Sequence, residues 1–167
     1  MGSSLADLFD RAVAVADLLV ERRETVAVAE SSAGGLLSAA LLSVPGASAY
    51  YVGGTVSYSR SSASALLGGR PEERGDGLRG ATEQFAEWLA LSIASSLGAD
   101  WGVAETGVAG PDANRHGVPP GTSWICVVGP GGLVGTRQLH RGSGVRLANM
   151  VAFAAAGLSL LQRNLQA

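Results

Sequence analysis

The chain has 167 residues, 47% of them apolar, which is enough for one domain with a filled core and argues against an intrinsically disordered protein. Its net charge of −2 gives no support to binding of nucleic acid or of an anionic membrane surface. The sequence contains no apolar run long enough to predict a membrane span and no signal-peptide pattern at its N-terminus, so it predicts a cytoplasmic protein.

Helical and strand patterns alternate along the chain. In chain order they predict a helix over 5–22, a strand over 25–29, a helix over 34–42, a strand over 50–58, a short helix over 62–67, a helix over 82–97, a strand over 101–104, a long loop over 107–121, a hairpin of strands over 122–128 and 133–139, and a last helix from 143 to about 163. The turn-rich, charged segment 68–80 predicts a mobile surface loop. This order favours a single α/β domain over 1–167, a three-layer α/β/α sandwich with a mixed, mostly parallel sheet.

A short sequence echo marks the ends of two predicted strands. Ala29-Glu30-Ser31 is repeated as Ala104-Glu105-Thr106, and glycines follow both stretches. Ligands of such sheets bind outside the carboxyl ends of the strands. We therefore expect the hydroxyls of Ser31 and Thr106 to line one crevice.

Ser31 stands where a predicted strand passes into a predicted helix, and two roles fit that position. As a nucleophile it would attack a carbonyl carbon, while the backbone N–H groups of Ser32 or Ala33 stabilise the resulting oxyanion. As a structural residue, Ser31 or Ser32 would cap the helix, which contributes about 1 kcal/mol. The stretch is not a G-x-S-x-G elbow, so these residues alone do not decide between the two roles.

Other candidates for the crevice also carry two interpretations each. Glu30 is a general base or a salt-bridge partner, and Tyr58 is a proton donor or a packing residue with a solvated hydroxyl. The Thr106-Gly107 pair binds a polar ligand or forms an ordinary turn. His116, in the long loop, is an acid–base candidate or an exposed side chain.

The basic residues and the possible metal ligands indicate which kinds of ligand the site could bind. All 12 basic residues are arginine, and Arg60, Arg141 and Arg146 are the candidates for holding a phosphate. His140 has no second ligand at metal spacing, so no metal site is predicted. Cys126, the single cysteine, lies in the apolar run SWICVVG and is predicted to be a buried strand thiol.

Three segments of the chain stand out as motifs: AESSAGGLLSAALLSVPGASAYYVGGTVSYS, ETGVAGP and PPGTSW. They resemble the C-terminal domain of CinA, the competence-damage-inducible protein family, which also occurs as a stand-alone nicotinamide-nucleotide amidase. The resemblance implies a three-layer α/β/α fold and hydrolysis of the carboxamide of nicotinamide mononucleotide to nicotinate mononucleotide and ammonia. It implies neither a metal nor an organic cofactor, and it favours a homo-oligomer.

The resemblance also implies roles for individual residues. Ser31 matches the nucleophile of the family's E-S-C-T-G-G signature, Tyr58 the tyrosine of its Y-S-N segment, and Thr106 the threonine of its T-G-x-A-G-P turn. With Glu30 these are the predicted catalytic residues. The predicted substrate-binding residues are Ser32, Gly34, Gly35, Gly107, Arg60, Arg141 and Arg146.

The chain also departs from the family pattern at functional positions. Ser32 and Ala33 replace the cysteine and threonine of the signature, and Ala63 and Val118 stand where the family usually has lysines. A serine hydroxyl is a poor nucleophile without a positioned base or cation, so another group would have to serve. The sequence leaves Glu30, Tyr58 and His116 as alternatives for that base.

Two functions of different classes follow from these residues. The first is an amidohydrolase in pyridine-nucleotide salvage that uses Ser31 as its nucleophile. The second is a catalytically impaired relative that keeps the fold and a nucleotide pocket and acts as a binding or regulatory module. Ammonia release from the mononucleotide separates turnover from binding alone.

Overall fold

The computed structural model describes residues 4–68 and 78–167. The loop predicted over 68–80 therefore lies mostly outside the described residues. Within them the helices are α1 (Leu5–Arg22), α2 (Leu36–Leu42), α3 (Arg60–Leu67), α4 (Glu83–Leu97) and α5 (Arg146–Leu165), and the strands are β1 (Val26–Glu30), β2 (Tyr51–Val56), β3 (Trp101–Val108), β4 (Thr122–Gly129) and β5 (Leu133–His140). Short 3₁₀ turns lie at Ala47–Ala49 and Pro130–Gly132.

The strands of the described part form one mixed sheet in the order β2-β1-β3-β4-β5. β1 is parallel to both β2 and β3, whereas β3 and β4 are antiparallel, as are β4 and β5. Four strands thus share one direction and β4 runs against them. The predicted mixed, mostly parallel sheet is confirmed.

Helices cover both faces of the sheet, as the strand pattern requires. Val26 and Val28 of β1 pack in one apolar cluster with α1, α2 and α5, while Ala27 and Ala29 pack in a second cluster with α3 and α4. Side chains of a strand alternate between faces, so β1 contributes to both clusters. The predicted three-layer α/β/α arrangement is confirmed.

Close packing on the α4 side depends on a missing side chain. A Cβ at Gly102 of β3 would clash with the backbone carbonyl of Ala90 in α4. The glycine therefore lets α4 lie against the sheet. On the same side, Cys126 is buried, and burial raises the pKa of its thiol to about 12, which confirms the predicted buried strand thiol.

Several element boundaries differ from the sequence prediction by one to four residues, and two of the differences have a clear structural reason. α2 begins two residues late because Gly34 and Gly35 take φ values of 69° and 95°, in the left-handed region that ends or precedes a helix. β3 continues four residues beyond Ala104, because residues 105–108 pair with the start of β4. That extension brings Glu105 and Thr106 into the sheet.

Among the described residues, no helix combines the length and apolarity that a membrane span requires.

Candidate active site

The sequence echo proves to be a spatial one. Ala29 and Ala104 are register partners in the parallel pair β1–β3, so the residues after them follow side by side. The side chains of Glu30 and Glu105 both point toward the start of α2. There the Glu105 carboxylate accepts hydrogen bonds from the loop before the helix, and the Glu30 carboxylate accepts them from the first turn. Ser31 and Thr106 instead line a common cavity, as expected from the sequence.

That cavity has a volume of about 570 Å³, within the range of small-molecule sites. Its lining carries cationic and hydroxyl groups, the rings of Tyr58 and Phe85, an imidazole and, among the described residues, no carboxylate. The lining consists of Ser31, Ser57, Tyr58, Ser59, Arg60, Gly80, Phe85, Thr106, Gly107, Asn114, Arg115 and His116. Such a lining suits a small anionic molecule.

Ser31 presents an unengaged hydroxyl to this cavity. The side chain is half-buried, and its Oγ has no hydrogen-bond partner among residues 4–68 and 78–167. Its backbone N–H donates to the carbonyl oxygen of Glu105 at 3.1 Å and approaches Oε2 of the same residue at 3.3 Å. The backbone of Ser31 is thus fixed to β3, while its hydroxyl is free to meet a ligand.

Glu105 holds the residues after Ser31 in place by accepting hydrogen bonds from them. It is fully buried, and its Oε2 accepts the N–H of Ala33 at 2.7 Å. Its Oε1 accepts the hydroxyls of Ser32 at 2.5 Å and Ser123 at 2.7 Å. Burial, and to a smaller extent the nearby charge of Glu30, raise the pKa of Glu105, whereas these hydrogen bonds oppose the shift.

Glu30 fastens the start of α2 in a similar way. It is fully buried, and its Oε2 accepts the N–H groups of Gly35 at 3.1 Å and Leu37 at 3.0 Å. Its Oε1 accepts the N–H of Ser38 at 2.8 Å and the hydroxyl of the same residue at 2.6 Å. A carboxylate at a helix N-terminus satisfies N–H groups that otherwise lack partners and interacts favourably with the helix dipole.

These hydrogen bonds determine which groups near Ser31 remain available for chemistry. Glu30 does not line the cavity, and both of its oxygens are engaged, which gives no support to the general-base role. The N–H of Ala33 is held by Glu105 and is not available to an oxyanion. The N–H of Ser32 has no partner in the described part of the chain, so it is the remaining donor beside the nucleophile candidate.

Three predicted substrate-binding residues shape this loop and do not line the cavity. The Ser32 hydroxyl points to Glu105, away from the cavity lining. Gly34 and Gly35 adopt left-handed conformations, and a Cβ at Gly34 would lie 2.7 Å from Cε of Met150. A larger residue at Gly34 would therefore be strained and crowded, and the glycines serve the sharp turn.

Thr106 joins the cavity to the entry of α4. Its side chain is 2% exposed, and its Oγ1 accepts the N–H of Ala81 at 3.0 Å. Ala81 has a φ of 61°, and this bond holds that unfavourable conformation just before Thr82, the residue that caps α4. Thr106 thus both borders the cavity and fixes Gly80, another lining residue.

The predicted phosphate-binding arginines separate into two places. Arg60 lines the cavity, and Arg146 reaches its edge, donating from Nη2 to the Tyr58 hydroxyl at 3.2 Å and from Nη1 to the carbonyl of Gly110 at 2.8 Å. Arg141 lines a different cavity, whose other residues come from α1, β5 and α5. It follows β5, which β3 and β4 separate from β1, and it lies apart from Ser31 for that reason.

His116 lies at the exposed rim of the cavity, and Arg115 occupies the nitrogen that could accept a proton. Arg115 Nε donates to His116 Nε2 at 3.1 Å, so this nitrogen acts as an acceptor. Loss of hydration, and then the charges of Arg115, Arg79 and Arg60, lower the pKa of His116 below its ordinary value of 6.5. The imidazole is accordingly neutral at pH 7.

Ala63 stands where the family resemblance implies a lysine, and the described residues around it contain no cation in that place. Ala63 is fully buried in the apolar cluster that includes Ala29 and Phe85. A neutral methyl therefore occupies that position, and the cations of the cavity come from Arg60 and Arg115 in its described lining. Sequence reasoning did not single out Arg115, although its neighbour His116 was a candidate.

In the described ranges, no group of three or more His, Cys, Asp or Glu side chains is placed to hold a metal ion.

Comparison with known proteins places the chain beside CinA proteins. Residues 9–165 match the family model of the CinA C-terminal domain. A CinA-like protein of Thermosynechococcus vestitus is 41% identical over 154 residues, covering 90% of this chain and 36% of that protein. The chain therefore spans about a third of the length of this curated relative.

Solved structures give the same result for the fold. A competence-damaged protein (CinA) superfamily protein from Klebsiella pneumoniae superposes with a TM-score of 0.88 at 26% identity, covering 95% of this chain and 98% of that one. A competence or damage-inducible protein from Enterobacter asburiae gives a TM-score of 0.83 at 27% identity, over 98% and 99% of the two chains.

Proposed function

Because the chain belongs to the CinA C-terminal domain family, we propose that it hydrolyses the carboxamide of nicotinamide mononucleotide, giving nicotinate mononucleotide and ammonia. The observation that carries this proposal is the cavity, in which the unengaged hydroxyl of Ser31 faces a lining with guanidinium groups and a neutral imidazole. A nucleotide of this kind brings a phosphate for the cations and an amide for the nucleophile.

Substrate binding follows from the charges of the lining. Arg60 and Arg115 attract the phosphate, and guanidinium groups match phosphate oxygens with two parallel hydrogen bonds. The Phe85 ring offers an apolar wall to the pyridine. Thr106 and Gly107 border the space where the carboxamide would meet Ser31.

The chemistry assigned to these residues is acyl transfer. The Ser31 Oγ attacks the carboxamide carbon, and His116 accepts the hydroxyl proton at Nε2 once Arg115 has turned from that nitrogen to the substrate phosphate. The Ser32 N–H donates to the oxyanion that develops on the carboxamide oxygen. His116 then returns the proton to the leaving nitrogen, ammonia departs, and water hydrolyses the acyl-enzyme with His116 again accepting a proton.

Tyr58 and Arg146 are assigned to substrate orientation. The Tyr58 side chain is 65% exposed at the cavity edge, and the hydrogen bond from Arg146 holds its hydroxyl. A phosphate or a ribose hydroxyl at that edge would meet both groups.

The test is ammonia release from nicotinamide mononucleotide. Wild-type protein is expected to turn over, Ser31→Ala to lose activity by about 10³-fold or more, and His116→Gln by about 10²-fold. Ser96→Ala replaces an exposed serine of α4 outside the cavity and serves as the matched control. Turnover by Ser31→Ala equal to that of wild type, or no turnover by wild type, contradicts the proposal.

The second candidate function is nucleotide binding without turnover, and the buried methyl of Ala63 in place of a lysine favours it. Calorimetric titration with the mononucleotide separates the two functions, since binding of the mononucleotide by an inactive wild type supports the module. A homo-oligomer and a cytoplasmic location stay predictions, and light scattering of the purified protein tests the first.

A further inference from the structure

A second cavity lies away from Ser31 and is surrounded by arginines. It has a volume of about 290 Å³ and is bordered by Arg11 of α1, Arg137 of β5 and Arg141, which follows β5. It shares no lining residue with the cavity at Ser31. None of its lining residues is acidic.

Among residues 4–68 and 78–167, the three guanidinium groups have no carboxylate partner at ion-pair distance. Within the described ranges the one ion pair joins Arg22 and Glu24, at 2.7 Å. Asp7 lies one helical turn before Arg11, but its carboxylate is hydrogen-bonded to the backbone N–H of Ser4 at 2.9 Å, where it helps to cap α1. Like charges around one concavity repel one another, and a bound anion would relieve that repulsion.

The three guanidinium groups also keep N–H donors that are available to a ligand. Arg11 Nη1 donates to the Ser159 hydroxyl at 3.3 Å, and Arg141 Nη1 donates to the Ala148 carbonyl at 3.3 Å. Each guanidinium has five N–H donors, so most remain available. Arg137 is half-buried on the face of β5 that packs toward α5, and it has no hydrogen-bond partner among the described residues.

The floor of this cavity is formed by small side chains. Ala152, Ala155 and Ala156 of α5 line it and are already nearly buried. They leave room above the helix without offering a large apolar surface. The size and charge of this space fit a compact, highly charged anion and do not favour an apolar ligand.

We infer that this cavity, bordered by Arg11, Arg137 and Arg141, binds the oligophosphate group of a small molecule. Three guanidinium groups balance the charge of a di- or triphosphate better than that of a single phosphate. The site is distinct from the one assigned to the mononucleotide, so it stands whether or not the chain is an amidase.

The experiment is calorimetric titration of the purified protein with inorganic tripolyphosphate at low salt, compared with orthophosphate. Tripolyphosphate is expected to bind saturably and more tightly. Arg137→Gln and Arg141→Gln are each expected to weaken its binding about tenfold, which corresponds to about 1.4 kcal/mol, because each removes charge-assisted hydrogen bonds to the phosphate oxygens. Arg23→Gln removes an exposed arginine at the other end of α1 and is expected to change the affinity less than twofold.

A nucleoside triphosphate in a parallel titration distinguishes the source of the phosphate. Tighter binding than tripolyphosphate, with the same loss in Arg137→Gln, indicates a nucleotide ligand, whereas equal binding indicates free oligophosphate. NMR of the arginine Nε–H groups in wild-type protein locates the site without any substitution. Shifts of Arg11, Arg137 and Arg141 support the inference.

Several outcomes would overturn the inference. They are the absence of saturable tripolyphosphate binding, an equal loss in Arg23→Gln, and NMR shifts confined to Arg60 and Arg115. Light scattering adds one more, because a dimer that dissociates in Arg137→Gln and binds no tripolyphosphate would make this surface an interface between copies.

Discussion

Glu30 and Glu105 occupy adjacent positions on neighbouring strands, yet their donors are divided differently between the two carboxylate oxygens. The one hydroxyl bound to Glu30, from Ser38, shares its oxygen with a backbone N–H. Both oxygens of Glu30 accept backbone N–H groups of the α2 start, from Gly35, Leu37 and Ser38. In Glu105 one oxygen accepts backbone N–H groups and the other accepts two serine hydroxyls. A backbone N–H can only donate, whereas a hydroxyl can rotate and accept.

Because of this difference, the same strand-end motif tolerates replacement of its carboxylate to different degrees in the two strands. Glu30 requires a carboxylate, because any group with a donor on either side would face an N–H. At Glu105 only the oxygen that faces the Ala33 N–H has to be an acceptor, because the serine hydroxyls at the other oxygen can either donate or accept. Together they fix the loop that carries Ser31, and neither carboxylate lines the cavity.

The largest expected effect comes from exchanging each carboxylate for its amide. Glu30→Gln is expected to lower the free energy of unfolding by about 3 kcal/mol, because its NH₂ group would face a backbone N–H in either orientation. Glu105→Gln is expected to cost about 1 kcal/mol, since the Ser32 and Ser123 hydroxyls can accept from the amide. Urea unfolding of both variants measures the difference, and equal losses would contradict the distinction.

The hydroxyl partners provide a second comparison. Ser32→Ala is expected to cost about 2 kcal/mol, because Ser32 is 4% exposed and water cannot replace its hydrogen bond to Glu105. Ser38→Ala is expected to cost about 1 kcal/mol or less, since the Glu30 Oε1 that loses the hydroxyl keeps the hydrogen bond from the Ser38 backbone N–H. Thermal and urea unfolding of the pair measure the order, and a larger loss in Ser38→Ala would reverse it.

A pH series gives a smaller effect with a defined sign. Burial raises the pKa of Glu105 above its ordinary value of 4.5, so the native state binds its proton more tightly than the unfolded chain does. The resulting contribution to stability is full below about pH 4.5 and is lost as the pH rises through the raised value. The stability of wild type relative to Glu105→Gln is therefore expected to fall from pH 4.5 to 7, and a rise would contradict the shift.

Ser31→Ala is expected to have the smallest effect on stability, about 0.5 kcal/mol or less. The Oγ of Ser31 has no hydrogen-bond partner in the described residues, and the glutamates hold its backbone. Unfolding of this variant beside Ser32→Ala measures the contrast between the two serines. A loss as large as that of Ser32→Ala would mean that Ser31 itself supports the loop.

The sequence was sufficient for the fold because its periodicities are local. The alternation of helix and strand patterns predicted the three layers, and the Ala-Glu-Ser and Ala-Glu-Thr echo predicted that Ser31 and Thr106 share a crevice. The end of β3 was missed because residues 105–108 join the sheet only through pairing with β4. Such pairing depends on a partner distant in sequence, which a local pattern does not contain.

The distribution of charged groups was harder to predict for the same reason. Arg141 and Arg146 are five residues apart, but one borders the arginine cavity and the other holds Tyr58. The anchoring role of Glu105 also depends on contacts between β3 and the loop before α2. The echo was the one available signal, and it identified the position without identifying the role.

The carboxylates under α2 also affect how the backbone exchanges its hydrogens with solvent. The first N–H groups of a helix usually face water and exchange quickly. Here the N–H groups of Gly35, Leu37 and Ser38 end on a fully buried Glu30, so deuterium reaches them only when the loop opens. The exchange rates of these three amides therefore report how often the segment that carries Ser31 leaves its native position.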